Sequence, residues 1–256
     1  AAFLSLALPP ELVRSRQGQP SWRDRFFAGF LALADKYRVP LAGGDTAQSP
    51  LTCLESGKNA SSRRNPVTGW ALADIVLVGS IPRNRALLRS GAKAGDRIYV
   101  TGHLGGAAAE LAQLQATPHR FSNCVATEIA DPNPHPHLFP EPRLDTGLWL
   151  IKNHRATAAI DISDGLSTDL DHLCMESGLS ATVNASSIPI HPLASMAQDP
   201  ALPVSEKSLE LALNGGEDYE LLFTASPRAR IPRRIAGIPV VCIGQMRRHS
   251  ARAPRV

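Results

Sequence analysis

Apolar residues in this chain come in short blocks, and compact runs alternate with blocks of helical spacing. Ala2–Leu8 is a compact apolar run that reads as a strand. Trp22–Tyr37 then places Phe26, Phe27, Phe30, Leu31, Leu33 and Ala34 close to a helical period, which predicts a helix. Val39–Ala42 reads as a short strand that stops at Gly43-Gly44-Asp45. Leu72–Gly79 and Arg97–Thr101 read as strands, separated by a short helix, Arg85–Ser90, that Gly91 can end. Gly105–Gln115 is a helix with an Ala-rich face. Further on, a helix near Thr146–Asn153, a strand at Ala158–Ile162 and a helix over Asp164–Glu176, closed by Gly178, continue the pattern. Leu166, Leu170, Leu173 and Cys174 share one face of that last helix. Strands near Glu220–Thr224 and Val240–Ile243 complete it. Alternation of this kind predicts an α/β or α+β fold.

Two stretches interrupt the alternation. Leu51–Trp70 is polar, without periodicity, and reads as a surface insertion. Thr117–Leu144 contains Asp131-Pro-Asn-Pro-His-Pro-His-Leu-Phe-Pro-Glu-Pro-Arg143, where alternating prolines forbid a helix. The domain boundary is therefore placed there, giving residues 1–130 and 131–256. With 256 residues, 43% of them hydrophobic, the chain can bury one large core or two ordinary ones, which excludes a disordered or collagen-like protein.

No apolar run approaches the ~20 residues of a membrane span, and no signal segment follows Ala1, so a cytoplasmic, soluble protein without membrane contact is expected. The chain reads as beginning inside a domain. Cys53, Cys124, Cys174 and Cys242 form no CxxC pair and read as reduced thiols. Eight arginines and no acid lie beyond Glu220, so the net charge of +4 leaves −4 on the first 220 residues. An acidic body with a basic end, read as a poorly ordered tail from residue 245, does not suit nucleic-acid binding.

Three short blocks carry candidate chemistry. In Asp161-Ile-Ser-Asp164-Gly-Leu an apolar strand ends on Asp161, and Ser163 is placed to cap a helix whose first turn holds Asp164. Two carboxylates at such a junction can converge on a hard cation while its N–H groups suit phosphate oxygens; plain helix capping produces the same pattern. Gly43-Gly44-Asp45-Thr46 lets backbone approach a ligand with an acid facing it, or is simply a tight turn. Asn214-Gly-Gly-Glu-Asp-Tyr-Glu-Leu221 sets three acids before an apolar strand. Such charges repel by roughly 4 kcal/mol at 4 Å unless solvated or held by cations. No P-loop, GxGxxG, GxSxG or HExxH occurs. His135 and His137, flanking a proline, are not read as a zinc site, and Cys174 is read as core.

These blocks, together with Arg85-Ala-Leu-Leu-Arg-Ser-Gly-Ala92, Gly95-Asp-Arg-Ile-Tyr-Val-Thr-Gly102 and Leu104-Gly-Gly-Ala107, resemble the thiamine-monophosphate kinase family and follow its order. The resemblance implies a two-domain aminoimidazole ribonucleotide synthetase-like fold with an incomplete N-terminal domain. It also implies an ATP-binding and dimerisation role for that domain, a homodimer, and phosphorylation of thiamine monophosphate to thiamine diphosphate with ATP and several Mg²⁺ ions. By motif, it implies Asp45, Asp161 and Asp164 as magnesium ligands. Phe27, Gly44, Asp45, Arg89 and Ser163 become ATP contacts, and Glu217 and Asp218 thiamine-phosphate contacts. The family's opening segment, with its own aspartate cluster, has no counterpart here, and Gln245–Val256 does not resemble the family's closing stretch. The 256 residues alone are therefore expected to lack turnover.

A phosphate acceptor is already anionic near neutral pH, so neither a strong base nor a Cys or Ser nucleophile is required. The alternatives are another ATP-using synthetase of the superfamily and a non-catalytic remnant of the kinase.

Overall fold

Side chains of the first strand, β1 (Ala2–Leu8), alternate between buried and open positions in the computed structural model. The structure describes residues 1–15, 18–49, 51–52, 68–117, 135–196 and 204–249. It separates into two compact units, Ala1–Ile81 and Pro82–Val256.

In the first unit, Leu4, Leu6 and Leu8 of β1 are buried under Trp22, Phe26, Phe27 and Phe30. These aromatics belong to α2 (Trp22–Lys36), which follows a one-turn helix, α1 (Pro10–Val13). The start of α2 is fixed by a capping box: the Asp24 N–H donates to Ser21 Oγ at 3.2 Å and the Ser21 N–H to Asp24 Oδ2 at 3.1 Å. β2 (Leu41–Gln48) pairs parallel with β1. It does not stop at Gly43, as the sequence suggested; the block Gly43–Thr46 lies within the strand, because Phe3 to Leu6 offer it partners throughout. Short strands β3 (Leu51–Thr52) and β4 (Thr68–Gly69) pair antiparallel at the base of the expected insertion, whose residues 53–67 lie outside the described ones. β5 (Leu72–Leu77) pairs antiparallel with the other edge of β1. Phe3, Ile75 and Leu77 are exposed apolar residues of this three-stranded sheet.

The second unit is organised around an antiparallel sheet. Its elements are β6 (Arg97–Thr101), α3 (Gly106–Ala116), α4 (Leu144–Lys152), β7 (Ala158–Ile162), α5 (Leu166–Ser177), β8 (Leu179–Val183), α6 (Pro192–Ser195), α7 (Val204–Asn214), β9 (Glu220–Ala225), β10 (Arg234–Ile235) and β11 (Ile238–Arg248). The order is β10-β11-β6-β9-β7, with β8 also on β11. Among the described residues every strand pairing of this sheet is antiparallel, so the fold is α+β. The two-residue alternation covers both faces: Ile98, Val100, Ile160, Ile162 and Leu222 pack with Leu166, Leu170 and Leu173 of α5, whereas Tyr99 and Phe223 pack with Leu150 of α4.

This topology moves the division between units. β6 lies between β11 and β9, so residues from 82 onward already belong to the second unit, and the break falls at Ile81/Pro82 instead of 130/131. The helix expected over Arg85–Ser90 shrinks to a 3₁₀ turn at Arg89–Gly91, because extended Leu88 accepts the Ala159 N–H at 3.1 Å. The basic end is not wholly a tail either. β11 runs to Arg248, with Gln245–Arg248 opposite Leu179–Thr182 of β8; residues 250–256 lie outside the described ones.

Gly244 sits where β11 kinks, and a Cβ there would stand 2.1 Å from the Thr182 carbonyl oxygen. Gly244→Ala should cost about 2–4 kcal/mol in urea unfolding. A change below about 0.5 kcal/mol would show that the strands do not approach so closely.

Candidate functional site

β7 delivers the first acidic block to the end of the sheet. Asp161, exposed, stands opposite Leu221 of β9, and the chain leaves the strand through Ser163, exposed Asp164 and Gly165. Gly165 has φ 113° and precedes α5, so the helix begins at Leu166 and Asp164 lies outside it. Ser163 does not cap the helix. Instead buried Asp169, from the first turn, reaches back and accepts the N–H groups of Ser163 at 2.9 Å and Asp164 at 3.0 Å. These two amides are thus held by a carboxylate and are not free for phosphate. The side chains of Asp161 and Asp164 stay open to solvent.

The second acidic block is fastened to this junction through backbone. The Glu217 N–H donates to the Ser163 carbonyl and the Tyr219 N–H to the Ile162 carbonyl, both at 2.8 Å. Ser167 Oγ donates to the Leu213 carbonyl at 3.0 Å and to Asn214 Oδ1 at 2.7 Å. A Cβ on Gly216 would stand 2.8 Å from the Ser163 oxygen, so the turn fits only without one. Glu217 and Tyr219 take the left-handed φ values of 67° and 50°, unusual for side-chain-bearing residues.

The three acids of this block then diverge. Glu217 is half exposed, with Oε2 at 2.8 Å from His137 Nδ1. Asp218 turns inward and accepts the N–H groups of Gly105 at 2.6 Å and Ala107 at 3.1 Å, capping α3. Burial pushes its carboxyl up to about 6, against the pull of those amides. Buried Glu220 takes a two-pronged contact from Arg143, at 2.6 and 2.8 Å, and a 2.5 Å hydrogen bond from Thr101 Oγ1. Separate partners therefore offset the repulsion within the block, although the charge of Glu220 still helps to raise the pKa of Asp218.

The other candidates lie elsewhere. Phe27 packs on the leucines of β1. Gly44 has φ 149°, and a Cβ there would stand 1.9 Å from the Leu4 carbonyl oxygen, so the close approach of β1 by itself demands glycine. Exposed Asp45 accepts the Thr46 N–H at 2.8 Å; Ser5 is in register with both Asp45 and Asp74. The Arg89 carbonyl accepts Ser177 Oγ at 2.9 Å, at the C-terminal end of α5. About 18 Å of helix separates that point from the acidic junction.

Sequence reading missed Asp169, because the helix was started two residues early. It also missed Glu110, a buried acid of α3 that accepts the His137 N–H at 2.8 Å and contacts His135 Nδ1 at 2.5 Å. Among the described residues no group of three or more His, Cys, Asp or Glu side chains converges on a metal position. Asp161 and Asp164 instead offer two hard, open carboxylates, a donor set that suits Mg²⁺, which is often held by one or two carboxylates plus substrate phosphates.

The antiparallel sheet and its helices form an α+β fold of the aminoimidazole ribonucleotide synthetase-like class. No protein-family model matches the chain. Over 250 residues it is 36% identical to the thiamine-monophosphate kinase of Escherichia coli (strain K12), a match that takes in 96% of this chain and 66% of the relative, just under two thirds of its length. The crystal structure of thiamine-monophosphate kinase from Stenotrophomonas maltophilia K279a is similar at a TM-score of 0.67 and 32% identity, covering 96% of this chain and 68% of that one. AaThiL complexed with AMPPCP and TMP matches at a TM-score of 0.70 and 27% identity, covering 97% of this chain and 67% of that one. The chain belongs to the thiamine-monophosphate kinase family.

The Asp218 carboxyl yields a prediction. Its pKa is about 6 when folded, against 3.8 for an ordinary aspartate, so between these values the folded protein keeps a proton that the unfolded chain has released. The stability it contributes falls as pH rises from about 4 to about 6, by roughly 2–3 kcal/mol, and is flat above. Asp218→Asn should remove that slope, read as the difference between the two proteins' urea stabilities across pH 4–7. Parallel profiles would contradict the buried carboxyl.

Proposed function

We propose that the protein phosphorylates thiamine monophosphate to thiamine diphosphate, using ATP and Mg²⁺, by direct in-line transfer. The observation that carries this reading is the backbone joint that merges the Asp161–Asp164 junction and the Glu217 loop into one surface, in a chain of this family. AMPPCP and TMP in the related AaThiL complex support the choice of substrates.

In this reading Asp161 and Asp164 hold magnesium, as does Asp45 in the first unit. Magnesium bound by these carboxylates supplies positive charge between the two phosphate-bearing anions. Ser163 lies at the nucleotide, and its amide, tied to Asp169, fixes the two aspartates that flank it. Glu217, open to solvent on a backbone anchored at Ser163, meets the thiamine phosphate. Asp218 holds α3 beside that loop and is assigned to the thiamine phosphate by motif. Phe27, Gly44 and Arg89 are assigned to the nucleotide by motif. The homodimer that the resemblance implies is supported by the apolar, open sheet of the first unit, and a cytoplasmic location by the bacterial kinase relatives. Among the described residues no helix is long and apolar enough to cross a membrane.

The whole protein should form thiamine diphosphate from thiamine monophosphate, ATP and Mg²⁺. Product is followed by chromatography with ATP, Mg²⁺ and thiamine monophosphate. In the whole protein Asp164→Asn should lower kcat at least ~100-fold while unfolding stays cooperative. Near-normal activity in that variant would remove the metal role. Turnover of an amidine-forming substrate, with none of thiamine monophosphate, would assign the protein to a synthetase instead.

A further inference from the structure

The described part of the proline-rich stretch, from His135 onward, does more than connect. Glu110, buried on α3, accepts the N–H groups of His137 at 2.8 Å and Leu138 at 3.4 Å, so one carboxylate fastens this irregular stretch to a helix. His135 adds a third contact to the same carboxyl group. Held in this way, His137 directs Nδ1 at Glu217 Oε2, 2.8 Å away. That nitrogen is shut off from water, and its approach to Glu217 lies off the line of a well-formed hydrogen bond, yet it has no better-aligned partner. Glu217 therefore has its backbone fixed at Ser163 and its carboxylate steered from the opposite side by an imidazole that α3 anchors.

We propose that His137 is a positioning residue for thiamine-monophosphate recognition, orienting the Glu217 carboxylate through the Nδ1–Oε2 contact while Glu110 holds the histidine in place. The proposal rests on the reading of Glu217 as a substrate contact. A half-exposed glutamate on an isolated loop samples several rotamers, and substrate must select one of them. An imidazole fixed at one carboxylate oxygen removes that cost and leaves the other oxygen for substrate. The effect is specific to the acceptor, because the ion-pair contact of His137 is with Glu217 and not with Asp161 or Asp164.

The experiment measures equilibrium binding of thiamine monophosphate and of ATP with Mg²⁺ to the whole protein. His137→Phe keeps the ring and removes the nitrogen; His137→Asn loses the ring and keeps a donor near the Nδ1 position. His137→Phe should weaken thiamine monophosphate about five- to twentyfold and leave ATP unchanged, whereas His137→Asn should recover most of the loss. Glu217→Ala should weaken thiamine monophosphate similarly, and adding His137→Phe to it should cost nothing further. If Glu217→Ala weakens binding but His137→Phe does not, or if the two losses add, the positioning role is wrong and the substrate role of Glu217 stands. If Glu217→Ala has no effect, the substrate reading fails and the proposal with it. Equal losses for both ligands, or a His137→Phe chain that fails to fold while His137→Asn binds no better than Glu217→Ala, would show His137 to be purely structural and overturn the proposal.

Discussion

The architecture of the candidate site depends on one backbone-to-backbone joint. The turn Asn214–Gly216 and the loop Ile162–Gly165 lie so close that neither side has room for a side chain: a Cβ on Gly216 would stand 2.8 Å from the Ser163 oxygen, and one on Gly165 3.0 Å from the Asn214 carbonyl carbon. Gly215 is equally confined, with the Leu211 oxygen 2.3 Å from where its Cβ would be. Contact at this range lets the amides of Glu217 and Tyr219 pair with carbonyls of the other loop, so polar backbone at the end of the sheet is satisfied without water. The β7–β9 ladder, which opposes Asp161 to Leu221, carries the pairing directly into the joint.

The same joint explains how so much negative charge is accommodated. Glu217, Asp218 and Glu220 would repel if they pointed one way, yet the left-handed backbone at Glu217 and Tyr219 turns the chain between them. Each such residue costs on the order of 1–3 kcal/mol. The hydrogen bonds to Ile162 and Ser163, the Asp218 cap on α3 and the Arg143–Glu220 pair are the interactions that offset this cost. Two of the three acids are thereby committed to structure. What remains open toward a ligand is Glu217, together with Asp161 and Asp164 across the joint.

Elements whose identity is local were legible in the sequence. The bounds of β1 and β7 follow from compact apolar runs, and α2 from its aromatic period. The chemical blocks stood out only as a set in family order, because each alone reads equally well as a turn or a cap. Other features depend on partners distant in the chain. Gly43-Gly44 reads as a stop until β1 is seen alongside, and Leu88 reads as helical until Ala159 claims its carbonyl. The division between units was misplaced because β6 owes its place to β9 and β11, more than 100 residues further on. Asp169 looked like one more helical acid, and His137 like part of a linker, since neither partner is visible in the local pattern.

The central claim is that the two acidic loops form one site because they are joined, and Gly216→Ala tests it directly. The added methyl would push the Glu217 loop away from Ser163 while leaving the core of the sheet untouched. Calorimetric titrations of the whole protein with ATP and Mg²⁺ and with thiamine monophosphate, alongside urea unfolding, should show both ligands weakened more than about tenfold and unfolding still cooperative. If both ligands bind as they do to the unaltered protein, or if one is lost and the other unaffected, the loops act independently and the joint is not what makes the site.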